Sequence, residues 1–148
     1  WRQTIFHPFA QMSNLGRGRV LRSQVSSPTY SARYYDPRGS QELYYPMPSV
    51  PYVKLATVHN EEDKSLTLFV LNRHLEEPIT LDLDARGFSD MTLDHALELR
   101  HDDLQAANTK AAPDAVSPVP LDGVQVRGER LQATLKPASW NVIRLRTP

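Results

Sequence analysis

The sequence predicts a mainly β chain whose larger part is an antiparallel β-sandwich, on three observations. Short segments with apolar residues at alternate positions recur from Tyr52 onward. Turn residues separate them at intervals typical of a sandwich. No segment between them is an amphipathic helix long enough to make a βαβ unit. Six or seven strands are expected in about 95 residues.

Ahead of the strands, Ile5, Phe6, Phe9, Ala10, Met12 and Leu15 recur at spacings of three and four, which predicts one buried face of a helix. Gly16 is expected to stop it by taking the left-handed conformation, and Pro8 to mark its start or a kink. Val20 to Val25 is read as a short strand. From Ser26 to Pro51 five prolines (Pro28, Pro37, Pro46, Pro48, Pro51) exclude a central strand or a long helix. All six tyrosines fall between Tyr30 and Tyr52. So aromatic a stretch reads as an ordered, extended excursion packed on a surface, not as a flexible linker. Its rings could stack on sugars, but the interface preference of tyrosine favours packing against a neighbouring domain or subunit.

Val53 to Val58 and Leu66 to Leu71, joined by the polar Asn60 to Lys64, predict a hairpin with a long turn. Ile79 to Leu83 and Met91 to Leu99 alternate, which places Asp82, Asp94 and Glu98 on wet faces. Asp102 to Thr109 reads as a short edge element and Ala111 to Pro120 as a loop. Arg130 to Leu135 alternates again, and Trp140 to Leu145 is β-rich. Phe69 and Trp140 sit in apolar strand contexts that favour the core.

Seventeen basic residues balance seventeen acidic ones among 148. A neutral chain lacks the field that gathers polyanions, so neither nucleic acid nor a membrane is expected as partner. With no cysteine, disulfides, thiolate catalysis and Cys-ligated metals are excluded. No apolar run approaches the roughly 20 residues of a membrane span, and no signal segment opens the chain. Residue 1 is Trp, so the chain is read as a piece of a larger polypeptide. A cytoplasmic home is expected, with secretion left open by the missing N-terminus.

His7, His59, His74, His95 and His101 form no H-x-H or H-x-x-x-H pair, so no metal site is expected, and no cofactor motif is present. His101 beside Asp102 and Asp103 reads as a solvated turn. Glycoside hydrolysis needs two carboxyl groups facing each other across the scissile bond. Glu61, Glu62 and Asp63 share one predicted loop, Glu76 and Glu77 precede Pro78 in a turn, and Asp82, Asp84, Asp94 and Glu98 lie on strands. No catalytic residue is therefore assigned within the chain.

Several strings together resemble one family. Trp1-Arg2-Gln3-Thr4-Ile5-Phe6-His7-Pro8-Phe9, Gly16-Arg17-Gly18, Val50-Pro51-Tyr52, His59-Asn60-Glu61-Glu62, Leu66 to His74 and Ala138 to Leu145 look like the C-terminal part of family 51 α-L-arabinofuranosidases. Asp94 to Leu99, His101 to Leu104 and Asn108-Thr109 fit as well. The likeness covers nearly the whole chain; Tyr30 to Ser49 departs from it, being longer and richer in tyrosine.

The resemblance implies a retaining α-L-arabinofuranosidase in which a (β/α)8 barrel carries the active site and a C-terminal β-sandwich follows. It implies release of terminal non-reducing α-L-arabinofuranosyl groups from arabinan, arabinoxylan and related oligosaccharides, by two glutamates that lie upstream and are absent here. Residues 1–19 become the end of the barrel with its last helix, 20–51 a connecting segment and 52–148 the sandwich. Gln3 is implied to hydrogen-bond the arabinofuranosyl group, on the functional face of the barrel. The implied partners are an arabinose-containing glycan, the barrel of the same polypeptide and further copies in a homo-oligomer. The piece alone is expected to be inactive. The competing reading is a non-catalytic sandwich that binds carbohydrate or a protein through the Tyr30 to Tyr52 segment.

Overall fold

The computed structural model describes residues 1–36 and 43–148. One helix, α1 (Phe6–Leu15), precedes the strands β1 (Arg19–Leu21), β2 (Thr29–Asp36), β3 (Leu43–Pro51), β4 (Val53–Asn60), β5 (Ser65–Asn72), β6 (Ile79–Asp84), β7 (Thr92–Leu99), β8 (Val119–Pro120), β9 (Gln125–Arg127), β10 (Arg130–Leu135) and β11 (Ser139–Arg146). A six-stranded sheet runs β1-β4-β5-β11-β7-β8, a three-stranded sheet runs β6-β10-β9, and β2 pairs with β3. All these pairings are antiparallel.

The two larger sheets enclose the main core. Alternation puts Leu66, Leu68 and Val70 of β5 and Ile143 and Leu145 of β11 on the inner face, against Leu81 of β6 and Leu131, Ala133 and Leu135 of β10. Met91 and Leu121, from the connections, close the sides. The opposite face of the six-stranded sheet carries a smaller cluster of Val58, Phe69 and Val142, with Trp140 and Leu15 of α1 packed on it. Phe69 and Trp140 thus lie beneath the helix instead of between the sheets.

Several expectations change: the short strand is Arg19–Leu21 and not Val20 to Val25, and eight strands, not six or seven, follow Tyr52. Met91 to Leu99 does not keep one alternation, because the register with β11 shifts between Arg144 and Leu145 and leaves Asp94 without a partner. That bulge reverses the faces. Ala96 and Glu98 point into the sandwich, Leu97 and Leu99 lie opposite Val142 and Trp140, and Glu98 is buried with Lys136 Nζ 2.9 Å from its carboxylate. Asp102 to Thr109 forms no strand; the edge beside β7 is β8, formed by Val119 and Pro120. Ser26 to Pro51, read as an extended excursion without a central strand, holds the hairpin of β2 and β3, whose Pro46 and Pro48 are tolerated where each strand has one partner. Pro37 lies outside the described residues, as do the side chains of Tyr34, Tyr35, Tyr44 and Tyr45.

The helix also differs in how it ends. Pro8 is its third residue, where an N–H has no carbonyl one turn back within the helix, so α1 starts two residues ahead of it. Gly16 ends α1 with φ −91°, outside the left-handed region; it is needed because a Cβ would collide with the Met12 carbonyl. The positive φ falls on Gly18, at 136°, where the chain passes against the His59 carbonyl. Only the end of the apolar stripe, at Leu15, packs on the sheet: among the described residues nothing covers Ile5, Phe6, Phe9 and Met12, which are exposed, and no residue of α1 is fully buried.

Candidate functional site at the entrance of the helix

Residues Trp1 to Ile5 lead into α1 through a tight turn. The Gln3 carbonyl accepts a hydrogen bond from the Phe6 N–H at 2.9 Å, and the Thr4 carbonyl accepts from the His7 N–H at 3.2 Å. The Gln3 side chain is exposed, and among the described residues its amide has no hydrogen-bond partner. It therefore keeps both donor and acceptor capacity. Trp1 is 63% exposed beside it in sequence, and the Arg2 guanidinium lies 4.9 Å from the centroid of the Phe6 ring. Thr4 Oγ1 and His7 Nε2 are buried without a hydrogen-bond partner among the described residues.

Two contacts tie this segment to the sandwich. Trp140 Nε1 donates to Gln11 Oε1 at 2.8 Å while its ring stacks on Phe69 at 5.9 Å. Asn108 is buried and donates from Nδ2 to the Arg2 carbonyl at 3.0 Å. Sequence reasoning quoted Asn108 only as part of a resemblance; a bond spanning 106 positions has no local signature. The first contact sets an expected outcome: Trp140→Phe keeps the stacking surface and loses the donor, lowering unfolding free energy by about 1 kcal/mol. Urea unfolding of the chain measures it.

Most of the candidate carboxylates are paired with basic side chains. Arg144, nearly buried, lies 3.1 Å from Asp63 and 3.4 Å from Asp94, and Asp94 also meets Arg146 at 3.2 Å. Here two acidic side chains share one guanidinium, with Arg146 adding a second positive charge beside Asp94, and no gap between them would hold a sugar. Asp82 faces Arg130, Asp84 faces Arg86, and Arg100 holds Asp102 at 2.7 Å. His101 Nδ1 accepts from the Asp103 N–H in an exposed turn. Among the described residues no three His, Asp or Glu side chains converge as metal ligands.

At the base of the hairpin the Tyr52 ring contacts Tyr30 at 4.8 Å and His74 at 4.5 Å, centroid to centroid. His74 Nδ1 accepts from the Glu76 and Glu77 N–H groups, which fixes that nitrogen as the acceptor. These rings are spent on one another and on the turn from His74 to Glu77.

Residues 1–139 match the model of the α-L-arabinofuranosidase C-terminal domain. The intracellular exo-α-(1→5)-L-arabinofuranosidase of Streptomyces lividans is 37% identical over 148 residues, covering 100% of this chain and 20% of that protein. The enzyme of the same name from Halalkalibacterium halodurans is 34% identical over 145 residues, 98% of this chain and 26% of that protein. The chain thus spans a fifth to a quarter of the length of these relatives. Among solved structures, a family 51 α-L-arabinofuranosidase from Bifidobacterium longum superposes with a TM-score of 0.77 at 30% identity, over 97% of this chain and 25% of that one. An α-L-arabinofuranosidase from Thermotoga maritima, at 21% identity and a TM-score of 0.69 over 86% of this chain and 26% of that one, shares the fold. The chain belongs to the α-L-arabinofuranosidase C-terminal domain family.

Proposed function

We propose that this chain is the C-terminal portion of a retaining α-L-arabinofuranosidase that removes terminal non-reducing α-L-arabinofuranosyl groups from arabinan, arabinoxylan and related oligosaccharides. The observation that carries the reading is the family match from residue 1 to residue 139, which begins in the segment bearing Gln3. The catalytic acid/base and nucleophile are glutamates of an upstream (β/α)8 barrel, and the 148-residue piece is inactive alone. Residues 1–19 close that barrel, 20–51 connect, and 52–148 form the sandwich. Gln3 binds the sugar: at the entrance of the helix its amide is exposed and has no partner among the described residues.

The exposed stripe of Ile5, Phe6, Phe9 and Met12 supports a barrel partner, since an apolar face of this kind is costly to leave in water. The enzyme is cytoplasmic, a reading supported by relatives named intracellular in two organisms. It assembles as a homo-oligomer, with the hairpin of β2 and β3 available for contacts between subunits.

The test is hydrolysis of 4-nitrophenyl α-L-arabinofuranoside by the purified 148-residue chain beside a longer chain that restores upstream sequence. Activity confined to the longer chain is expected. Turnover by the short chain would overturn the reading, because it would place the catalytic carboxyl pair among the acidic residues described above. Calorimetry of the short chain with arabinan and arabinoxylan is expected to give no binding heat; saturable heat would instead support a carbohydrate-binding module.

A further inference from the structure

We propose that Asn108, in the sandwich, is a positioning residue for the sugar-binding side chain of Gln3; the inference rests on the reading that Gln3 contacts the arabinofuranosyl group. Two peptide planes flank the Gln3 Cα, and their orientations set its φ and ψ and hence the direction of the side chain. The plane after it is held by α1, through the bond from the Phe6 N–H to the Gln3 carbonyl at 2.9 Å. The plane before it contains the Arg2 carbonyl and the Gln3 nitrogen. Asn108 grips that plane, with Nδ2 donating to the Arg2 carbonyl at 3.0 Å. One grip comes from the helix and the other from the sandwich.

Asn108 is built as an anchor. It is 3% exposed. Its second Nδ2 hydrogen goes to the Val116 carbonyl at 2.8 Å, and its Oδ1 accepts from the Val116 N–H at 2.7 Å. Both amide hydrogens are therefore used on carbonyls, and turning the amide over would point Oδ1 at two other oxygens. The connection that carries Asn108 and Val116 is closed at its base, where β8 pairs with β7 and the Leu121 N–H donates to the Ala96 carbonyl at 3.0 Å. Gln3 by contrast is exposed. A fixed, buried amide thus holds the backbone of an exposed, uncommitted one.

The test is a double-mutant cycle in the longer enzyme with 4-nitrophenyl α-L-arabinofuranoside. Asn108→Ala is expected to lower kcat/KM about tenfold, a fraction of the roughly hundredfold that misplacing a reacting group by about 1 Å can cost. Introduced on top of Gln3→Ala, it is expected to lower kcat/KM no further, because it acts only through Gln3. Asn108→Ser, a smaller perturbation of the fold, is expected to show the same dependence on Gln3 if the alanine variant is too unstable to assay. Asn72→Ala is the comparison for stability alone. It removes bonds to the Glu77, Leu135 and Lys136 carbonyls inside the sandwich and touches nothing before α1, so it is expected to leave kcat/KM unchanged. Unchanged kcat/KM in both Asn108 variants, or an equal loss with and without Gln3, overturns the positioning role. Unchanged kcat/KM in Gln3→Ala overturns the sugar contact itself.

Discussion

In the longer enzyme, Gln3→Ala lowers kcat/KM toward an aryl α-L-arabinofuranoside by about a hundredfold while leaving the sandwich as stable as before. The size follows from where the side chain sits. Among the described residues Gln3 is bonded only through its backbone carbonyl, which alanine retains. Its side-chain amide is exposed and has no partner among the described residues, so on the proposed reading it is free to bond the sugar. A polar contact at a water-excluded reacting sugar is worth roughly 10²- to 10³-fold when it strengthens toward the transition state. The two measurements are steady-state kinetics and thermal unfolding. A fall in kcat/KM with an unshifted melting temperature is the expected pair. Equal kinetics of variant and parent would exclude Gln3 from sugar binding.

The second large effect lies in the sandwich. Leu131→Ala lowers the unfolding free energy by about 3 to 4 kcal/mol, the range for a buried leucine cut to alanine in a core that relaxes only partly. Leu131 is fully buried and sits in β10 between β6 and β9, facing the leucines of β5 and β11. Domains of this size hold only about 5 to 15 kcal/mol in all, so the loss is a large share. The neighbouring Gln132→Ala, on the exposed face, is expected to change stability by no more than about 0.5 kcal/mol. Urea unfolding of both variants settles the contrast. A Leu131→Ala midpoint equal to that of Gln132→Ala would show that the two sheets do not pack through this strand.

What could be read from the residues follows the reach of the physical signal. β10 was legible because Leu131, Ala133 and Leu135 alternate with exposed Arg130, Gln132 and Thr134 along an unbroken strand. β7 was legible as a strand but not as a face, since one unpaired residue at Asp94 exchanges inside for outside and leaves no mark on composition. Glu98, read as wet, went with it. The β2–β3 hairpin was hidden by prolines, which weigh against a central strand but not against one with a free edge. The helix was legible from its spacing, yet that same spacing could not say that its stripe would lie exposed on this chain. At the candidate site, Gln3 came from a resemblance and not from periodicity. Asn108 was invisible as an anchor, because a hydrogen bond between residues 2 and 108 belongs to the finished fold alone.

The place of β11 has a consequence for how the protein is made. Among the described residues it is the last strand in order, yet it lies in the interior of the six-stranded sheet, bonded to β5 on one side and β7 on the other. While the ribosome is still producing the chain, those two neighbours each carry an edge with unpaired backbone groups, rich in leucine and valine on β5. The sheet cannot close as it emerges; it must wait for Ser139 to Arg146 and then be joined from the middle. A nascent chain stalled before Ser139 lacks the strand that pairs β5 and β7, and edges left open in this way are the kind that associate wrongly during folding.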